Sequence, residues 1–275
     1  MPSVPISFLS DFGLRDEFVG VVHGVIERIA PGTRVIDITH GITRGDVRAG
    51  ALALLRAVQY LPDGVVLAVV DPGVGTARRA IAASTPRGFF VGPDNGLLAP
   101  AVAMVGGADR FVSLEAEAFR LPGAGSTFDG RDLFAPAAAV LASGEASLAD
   151  LGPEIDPGGV MPLLLPLVEH GEGWVSGEVW WIDGYGNAQT NVSPADLELA
   201  GMRQGAGVVL RVGRAEHEVA WTVGYGEGTD PIVHCDSHGL MAIAVPQGRA
   251  DERLGLSEGL SVGFRGHADG DAGSM

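Results

Sequence analysis

One stretch of the sequence determines the predicted architecture: residues 65–79, Val-Val-Leu-Ala-Val-Val-Asp-Pro-Gly-Val-Gly-Thr-Ala-Arg-Arg. Its first six residues are apolar and follow a Pro-Asp-Gly turn, which predicts a buried strand at 65–70. A carboxylate, Asp71, then a Pro-Gly-x-Gly turn and two arginines, Arg78 and Arg79, follow this strand. Because open α/β sheets place their chemistry in loops at the carboxyl ends of buried strands, this loop is predicted to belong to an active site.

Strand and helix patterns alternate on both sides of this stretch. Strands are predicted at 6–9, 35–38, 88–91 and 111–114, and helices at 21–29, 47–59, 97–105 and 133–142. Asp46 is predicted to cap the second of these helices. The alternation with short links predicts a parallel, doubly wound sheet in an α/β domain. The polar turn after the 88–91 strand, Gly92–Gly96, would then lie at the same edge as Asp71.

The composition changes after about residue 150, where glycines and prolines crowd the segment 151–165. Short strand-like pieces then replace helical periodicity, which predicts a small antiparallel barrel or sandwich. The predicted organisation is an α/β domain at 1–155, a linker at 156–170, an antiparallel β domain at 171–265 and a disordered tail at 266–275.

The bulk composition excludes several classes of site and partner. All 18 basic residues are arginine, which rules out a P-loop lysine, a Schiff base and a lysine general base. The net charge of −16 disfavours nucleic acid and anionic membranes as partners. The single cysteine, Cys235, excludes a disulfide within one chain. With no signal-peptide pattern and no apolar run of roughly 18–20 residues, a cytoplasmic location is predicted.

Two carboxylates that follow predicted strands each have a functional and a structural interpretation. Asp11 could accept hydrogen bonds from both hydroxyls of a ribose, or it could cap the helix that follows. Asp71 with Arg78 could orient a reacting group, or the two could form only a structural ion pair. The stretch Gly73–Gly75 does not complete a dinucleotide-binding fingerprint.

Three polar turns carry the remaining candidates. The turn at 127–132 is either part of a site or a capped helix start. The turns at 183–187 and 236–239 could bind an amine or an adenine edge, or could be turns only. The seven histidines show no metal-binding spacing, so no metal site is predicted.

Together these motifs resemble one family over nearly the whole chain: the S-adenosyl-L-methionine (SAM) hydroxide adenosyltransferases, which hydrolyse SAM to adenosine and are related to fluorinase and chlorinase. The motifs that carry the resemblance are Ser10–Gly13, Val70–Gly75 with Arg78-Arg79, Gly92–Gly96, Thr127–Asp132, Asp183–Asn187 with Thr190-Asn191, and Ser237 with Gly239. The resemblance implies a Rossmann-like N-terminal domain, a C-terminal β-barrel and a homotrimer with sites at subunit interfaces.

The resemblance also implies roles for particular residues. Asp71 and Arg78 match two members of an Asp-Arg-His triad that positions the attacking water or hydroxide, and Asp129 stands in the place of the histidine. The matches to substrate-binding positions are Asp11 for the ribose, Asp183 and Ser237 for the methionine moiety, Asn187 and the backbone near Val245 for adenine, Tyr225 for stacking near the base, and Asp16.

The predicted reaction is hydrolysis of SAM to adenosine and L-methionine without a metal or other cofactor, because a sulfonium is already a good leaving group. Asp129 departs from the family pattern: two acids near one water repel each other, so one could hold a proton, and Arg79 or Arg131 could offset the change. Two alternatives stay open. One is a SAM- or adenosine-binding protein that has lost catalysis, and the other is a halide-using enzyme, against which Asp71 argues because a buried carboxylate repels halide.

Overall fold

The computed structural model describes residues 3–122, 125, 127–226 and 230–266. The chain divides into two compact units, Met1–Leu164 and Leu165–Met275. The helices and strands of the first unit are β1 (Ile6–Ser10), α1 (Phe18–Ile29), β2 (Val35–Thr39), α2 (Val47–Val58), β3 (Gly64–Val69), β4 (Ala80–Thr85), β5 (Gly88–Pro93), α3 (Ala99–Met104), β6 (Arg110–Ser113), a π-helical turn (Gly130–Phe134), α4 (Ala135–Ser143) and β7 (Glu154–Ile155). Short 3₁₀ turns lie at Glu117–Phe119, Leu148–Leu151 and Pro157–Gly159.

The first unit contains one seven-stranded sheet in the order β2-β1-β3-β5-β4-β6-β7. Strands β2, β1, β3 and β5 are parallel, which confirms the α/β prediction for this part of the sheet. Strands β4, β6 and β7 are antiparallel, so the sheet is mixed rather than wholly parallel. Only Pro86 and Arg87 join β4 to β5, and so short a link cannot make the crossover that parallel strands need.

The strand β4 was absent from the prediction, in which the strand at 65–70 and the strand at 88–91 followed each other. Although β4 intervenes in the chain, β3 and β5 are parallel neighbours in the sheet. Their carboxyl ends therefore lie at one edge, together with the end of β1, since Ser10 pairs with Val69. The predicted placement of polar loops at a common edge is confirmed.

Strand β3 is buried on both faces and supports two apolar cores. Val65, Leu67 and Val69 belong to a core with α1 and α4, whereas the alternate residues Val66 and Ala68 belong to a core with α2 and α3. Successive side chains of a strand point to opposite faces, so one apolar run serves both layers. Full burial of a valine or leucine side chain stabilises the fold by about 1.5–3 kcal/mol. Helices on both faces confirm the doubly wound arrangement.

The second unit is a closed barrel with two short helices. Its elements are β8 (Glu169–Gly171), β9 (Trp174–Ile182), β10 (Ala188–Thr190), α5 (Pro194–Leu199), β11 (Gly207–Val212), β12 (Ala215–Thr222), β13 (Ile232–Cys235), β14 (Met241–Ala244), α6 (Ala250–Leu254) and β15 (Ser261–Gly266). Seven strands close in the order β10-β14-β13-β12-β11-β15-β9, because β9 also pairs with β10, and β8 extends β9. The barrel is therefore confirmed over the sandwich. One pair, β12 with β13, is parallel, which the prediction of an antiparallel domain did not include.

The division between the units falls inside the predicted linker, 156–170. Its first part packs on the N-terminal unit, where the Met161 amide donates to the Asp94 carboxylate at 2.8 Å. The exact domain limits stay predictions. The predicted tail, 266–275, lies outside the described residues except for Gly266, the last residue of β15. Within the described parts of the chain, no helix is long and apolar enough to cross a membrane.

The cap of α2 gives a test of this local structure. The Asp46 carboxylate accepts a hydrogen bond from the Ala49 amide at 2.8 Å, whereas Glu17, at the same position of α1, makes no side-chain cap. Asp46→Ala should lower the free energy of unfolding by about 1 kcal/mol, because it leaves an amide of the first turn without its partner. Urea unfolding checks this. Glu17→Ala is the matched control, and a loss as large in the control would contradict the assignment of the cap.

Candidate active site

A cleft of about 970 Å³ opens at the carboxyl edge of the parallel strands in the first unit. Asp11 and Asp71, which follow β1 and β3, both line it. The remaining lining residues are Phe12, Asp16, Phe18, Arg44, Val74, Pro122, Gly125, Thr127, Phe128 and Arg131. The wall thus combines carboxylates with an aromatic surface, as in clefts that bind small molecules.

The loop after β3 turns back so that Arg78 meets Asp71. A turn forms in which the Thr76 amide donates to the Gly73 carbonyl at 3.1 Å, and Gly75 has a φ of 78°, a conformation that favours glycine. Arg78 then donates from Nε to Asp71 Oδ1 at 3.0 Å and from Nη2 to Asp71 Oδ2 at 2.5 Å. This two-pronged contact fixes the plane of the carboxylate at the wall of the cleft.

Asp129 joins the same pair. Arg78 Nη2 also donates to Asp129 Oδ2 at 2.8 Å, and Arg120 Nη2 donates to Asp129 Oδ1 at 3.2 Å. Asp129 stands at the N-cap position of the π-helical turn, yet its side chain makes no cap hydrogen bond. The Asp129 carboxylate therefore binds the two arginines and does not cap the turn that follows it.

The two carboxylates are buried and share one guanidinium. The side chains of Asp71, Arg78 and Asp129 are 5%, 10% and 10% exposed. Burial raises the pKa of Asp71, and the negative charge of Asp129 raises it further, while Arg78 acts in the opposite direction. Asp71 thus holds a proton more readily than an ordinary aspartate, as expected for a carboxylate that takes part in proton transfer.

The arginines proposed from sequence to offset Asp129 have other partners. Arg79 donates from Nε to Asp94 Oδ2 at 2.9 Å, and Arg131 contacts Asp132 at 2.6 and 2.8 Å. Besides Arg78, the arginine that contacts Asp129 is Arg120, which the sequence patterns did not single out.

The other two carboxylates of the cleft differ in how firmly they are held. Asp11 Oδ2 accepts a hydrogen bond from the Gly45 amide at 2.7 Å. The N-cap position of α1 belongs to Glu17, so Asp11 does not cap that helix. Asp16 lies exposed on the wall of the cleft. Asp11 is therefore oriented by the protein before any ligand arrives.

In the second unit, three candidate substrate-binding residues, Asp183, Asn187 and Tyr225, are joined by hydrogen bonds. Asp183 Oδ1 accepts hydrogen bonds from the amides of Tyr185 and Asn187 at 2.8 and 2.9 Å, in the turn between β9 and β10. Asn187 Nδ2 donates to Asp183 Oδ2 at 2.9 Å and to the Tyr225 hydroxyl at 3.1 Å. Burial, then the charges of Asp183 and Asp236, raises the pKa of Tyr225, so this hydroxyl stays protonated.

The other two candidate binding residues of this unit, Ser237 and Val245, lie at opposite ends of β14. Ser237 is exposed and follows Asp236, whose carboxylate contacts Gln189 of β10. Val245 is buried directly after β14, and its carbonyl accepts a hydrogen bond from the Gly248 amide at 3.0 Å. In the described residues, no group of three or more His, Cys, Asp or Glu side chains is placed to hold a metal ion.

The sequence matches the models of one protein family over most of its length. Residues 6–152 match the N-terminal domain of SAM hydroxide adenosyltransferases, and residues 177–263 match their C-terminal domain. The chain belongs to the SAM hydroxide adenosyltransferase family. The resemblance stated from the motifs is confirmed.

Several named proteins are similar to this chain over almost their full length. A protein of Salinispora tropica named (R)-S-adenosyl-L-methionine hydrolase is 46% identical, with 94% of this chain and 96% of that protein covered. A protein of the same name from Thermus thermophilus is 44% identical, with 94% and 98% covered. A fluorinase of Actinoplanes matches at 27% identity over 94% of this chain and 96% of that protein. The crystal structure of an uncharacterized conserved protein from Thermotoga maritima has a TM-score of 0.88 and 34% identity, with 94% and 99% covered.

Because Asp71 and Asp129 share the guanidinium of Arg78, we expect the charge of the Asp129 carboxylate to affect the pKa of Asp71. Asp129→Asn removes a negative charge beside Asp71, so the pKa of Asp71 should fall in this variant. Titration of the ¹³C-labelled aspartate carboxyls by NMR, with Asp71→Asn to assign the signal, measures the shift. Asp16→Asn, a cleft residue that does not contact Arg78, is the control and should move the Asp71 titration less. An unchanged or higher pKa in Asp129→Asn would contradict the coupling of the two acids.

Proposed function

We propose that this protein hydrolyses SAM to adenosine and L-methionine by in-line attack of water at the ribose C5′. The single observation that carries the proposal is the buried Asp71–Arg78–Asp129 contact at the wall of a cleft that also presents Asp11. The names of the relatives at 44–46% identity supply the substrate and the reaction class.

The chemistry asks little of the protein beyond alignment. The oxygen of a water molecule forms a bond to C5′, the C5′–S bond breaks, and its electron pair passes to the sulfur, which becomes the thioether of methionine. The water loses one proton, so the products are adenosine, methionine and a proton. Because the sulfonium is already activated, we propose that no metal or other cofactor takes part. Correct orientation of two reactants can lower a barrier by about 7–11 kcal/mol in favourable cases.

Asp71 is the residue placed to receive that proton. It lines the cleft, and the two hydrogen bonds from Arg78 hold its carboxylate in one orientation. The raised pKa of Asp71 makes its carboxylate a stronger base, which favours transfer of the proton from the attacking water.

An aromatic wall beside the carboxylate limits hydration of the attacking water. The rings of Phe12, Phe18 and Phe128 meet edge to face, with centroids 5.1–6.1 Å apart. A water that has few other hydrogen-bond partners interacts more strongly with the carboxylate and is a better nucleophile. The same carboxylate disfavours chloride or fluoride in this position, because like charges repel.

The relatives are named for the (R) form of the substrate, and we propose that this chain prefers the (R) sulfonium epimer as well. We also propose a homotrimer in which Asp11 and Asp71 of one subunit face Asp183 and Asn187 of a neighbour. Support comes from the division of the candidate residues between two units, neither of which alone presents both sets. A cytoplasmic location stays a prediction.

The first test is the release of adenosine and methionine from each SAM epimer, followed by chromatography. Asp71→Asn should lower kcat by about 10²–10⁴-fold, because the variant cannot accept the proton. Asp11→Ala should mainly raise KM, by about tenfold or more, because it removes hydrogen bonds from a charged group to the ribose. Dialysis against EDTA should leave the rate unchanged.

Asp63→Asn is the matched control for Asp71→Asn. Asp63 pairs with Arg87 at the start of β3, the opposite end of that strand from Asp71, and is largely exposed, so its loss should leave kcat unaltered. Tight binding of SAM without adenosine release would favour a binding protein. A halogenated nucleoside formed on addition of chloride or fluoride would favour a halide-using enzyme instead.

The proposed trimer predicts complementation between inactive subunits. Asp71→Asn and Asp183→Asn carry their lesions in different units, so a mixed trimer contains some sites with neither lesion. Refolding an equal mixture should restore roughly a quarter of the wild-type rate, whereas each variant refolded alone should stay low. Light scattering should give three times the mass of one chain. A mixture no more active than its components would argue for sites formed within single chains.

A further inference from the structure

Among the described residues, Arg120 is the partner of Asp129 that lies outside the loop after β3, in the segment between β6 and the π-helical turn. Its Nη2 lies 3.2 Å from Asp129 Oδ1, and its side chain is 34% exposed. Arg78 occupies the other oxygen of the same carboxylate at 2.8 Å. Asp129 is therefore held between two guanidinium groups.

The backbone keeps Arg120 in this place. Arg120 follows the 3₁₀ turn Glu117–Phe119, and the amide of the next residue, Leu121, donates to the Asp132 carbonyl at 2.8 Å. Phe119 and Leu121 pack against the apolar core under α4. The segment that carries Arg120 is thus attached by its backbone to the turn that follows Asp129, and two of its side chains pack on the core.

Asp71, Asp129 and Arg78 form a charged cluster, and the balance of its charges explains why a second arginine is needed beside Asp129. Asp71 and Asp129 are two buried anions that both accept from Arg78 Nη2, so Arg78 alone leaves one negative charge uncompensated. Arg120 supplies the second positive charge. Four alternating charges, Arg120–Asp129–Arg78–Asp71, then run from the surface to the wall of the cleft.

Resting on the function proposed above, we propose that Arg120 is a positioning residue for the hydrolysis. It neutralises and orients Asp129, so that Arg78 keeps its two hydrogen bonds to Asp71 and Asp71 stays available as the proton acceptor. Arg120 acts through Asp129 and Arg78 and does not line the cleft.

Other charged groups near the cluster are accounted for in the same way. Arg131 and Asp132 pair with each other at 2.6 Å, so they bring no net charge. Asp11 and Asp16 lie on the cleft wall, and Arg44 lies on the same wall with the opposite sign. None of these five residues exchanges a hydrogen bond with Asp129 among the described contacts.

The test compares Arg120→Ala with the wild type in the pH profile of kcat for SAM. Loss of Arg120 leaves Asp129 unneutralised, so Asp71 should bind its proton more tightly. The acid limb of the profile should move to higher pH by about half a unit, roughly threefold in proton affinity. kcat below the limb should fall about threefold or more, with KM little changed. In Arg120→Lys, which keeps the positive charge, the acid limb should stay close to its wild-type pH.

Two further variants separate positioning from a general loss of structure. Arg110→Ala removes an arginine that pairs with Glu154 at 2.9 Å on the surface, and it should leave the profile as in the wild type. In an Asp129→Asn background, Arg120→Ala should no longer move the limb, because its partner charge is gone. Two results would overturn the proposal. One is an acid limb in Arg120→Ala at the same pH as in the wild type; the other is a shift on adding Arg120→Ala to Asp129→Asn that is as large as in the wild-type background.

A readout without turnover separates this proposal from the proposed function. If the wild-type protein releases no adenosine from SAM, the function fails. The ¹³C titration of Asp71 still reports on Arg120: a higher titration midpoint in Arg120→Ala supports the charge coupling, and an unchanged midpoint refutes it.

Discussion

A single guanidinium buried between two carboxylates is the contact on which the candidate site depends. Removing one member of a buried ion pair costs about 3–5 kcal/mol in other proteins, because a charge is left without its partner. Arg78 can meet both Asp71 and Asp129 only because β3 ends at the sheet edge and the glycine turn reverses the chain. That end is fixed by β3 itself, whose alternate side chains enter two separate cores. The chemistry is therefore tied to a strand that is buried on both faces.

Most of the α/β unit could be predicted because its strands are strongly apolar and its helices are capped or stopped by recognisable residues. Strand β4 was not predicted, because its sequence, Ala-Ile-Ala-Ala-Ser-Thr, contains few β-branched or aromatic side chains and is equally compatible with a loop. In the second unit, short alternating strands predicted β structure but could not tell a barrel from a sandwich. Closure depends on the pairing of β9 with β10, a contact that no local pattern encodes.

Among the site residues, contacts within one short motif could be predicted from the sequence, whereas contacts between separate segments could not. Asp71 and Arg78 are seven residues apart on one turn, so a short motif sufficed to pair them. Arg78 and Arg79 are adjacent and chemically identical, yet the first turns to Asp71 and the second to Asp94, because neighbouring side chains in extended chain point in opposite directions. Arg120 reaches Asp129 through the anchoring of a separate segment, and nothing in its own sequence context indicates that contact.

Asp129 stands where the resemblance to the family implies a histidine, and this difference changes the net charge beside Asp71. A histidine can be neutral beside Asp71 and Arg78, whereas a carboxylate adds a full negative charge to a buried place. With Arg78 as the only cation, the two acids would favour a shared proton, and Asp71 would lose its capacity to accept another. A second guanidinium at the far oxygen of Asp129 restores the balance without entering the cleft. In the function proposed above, Asp129 and Arg120 therefore act as one unit, in which the cation behind the carboxylate offsets its charge.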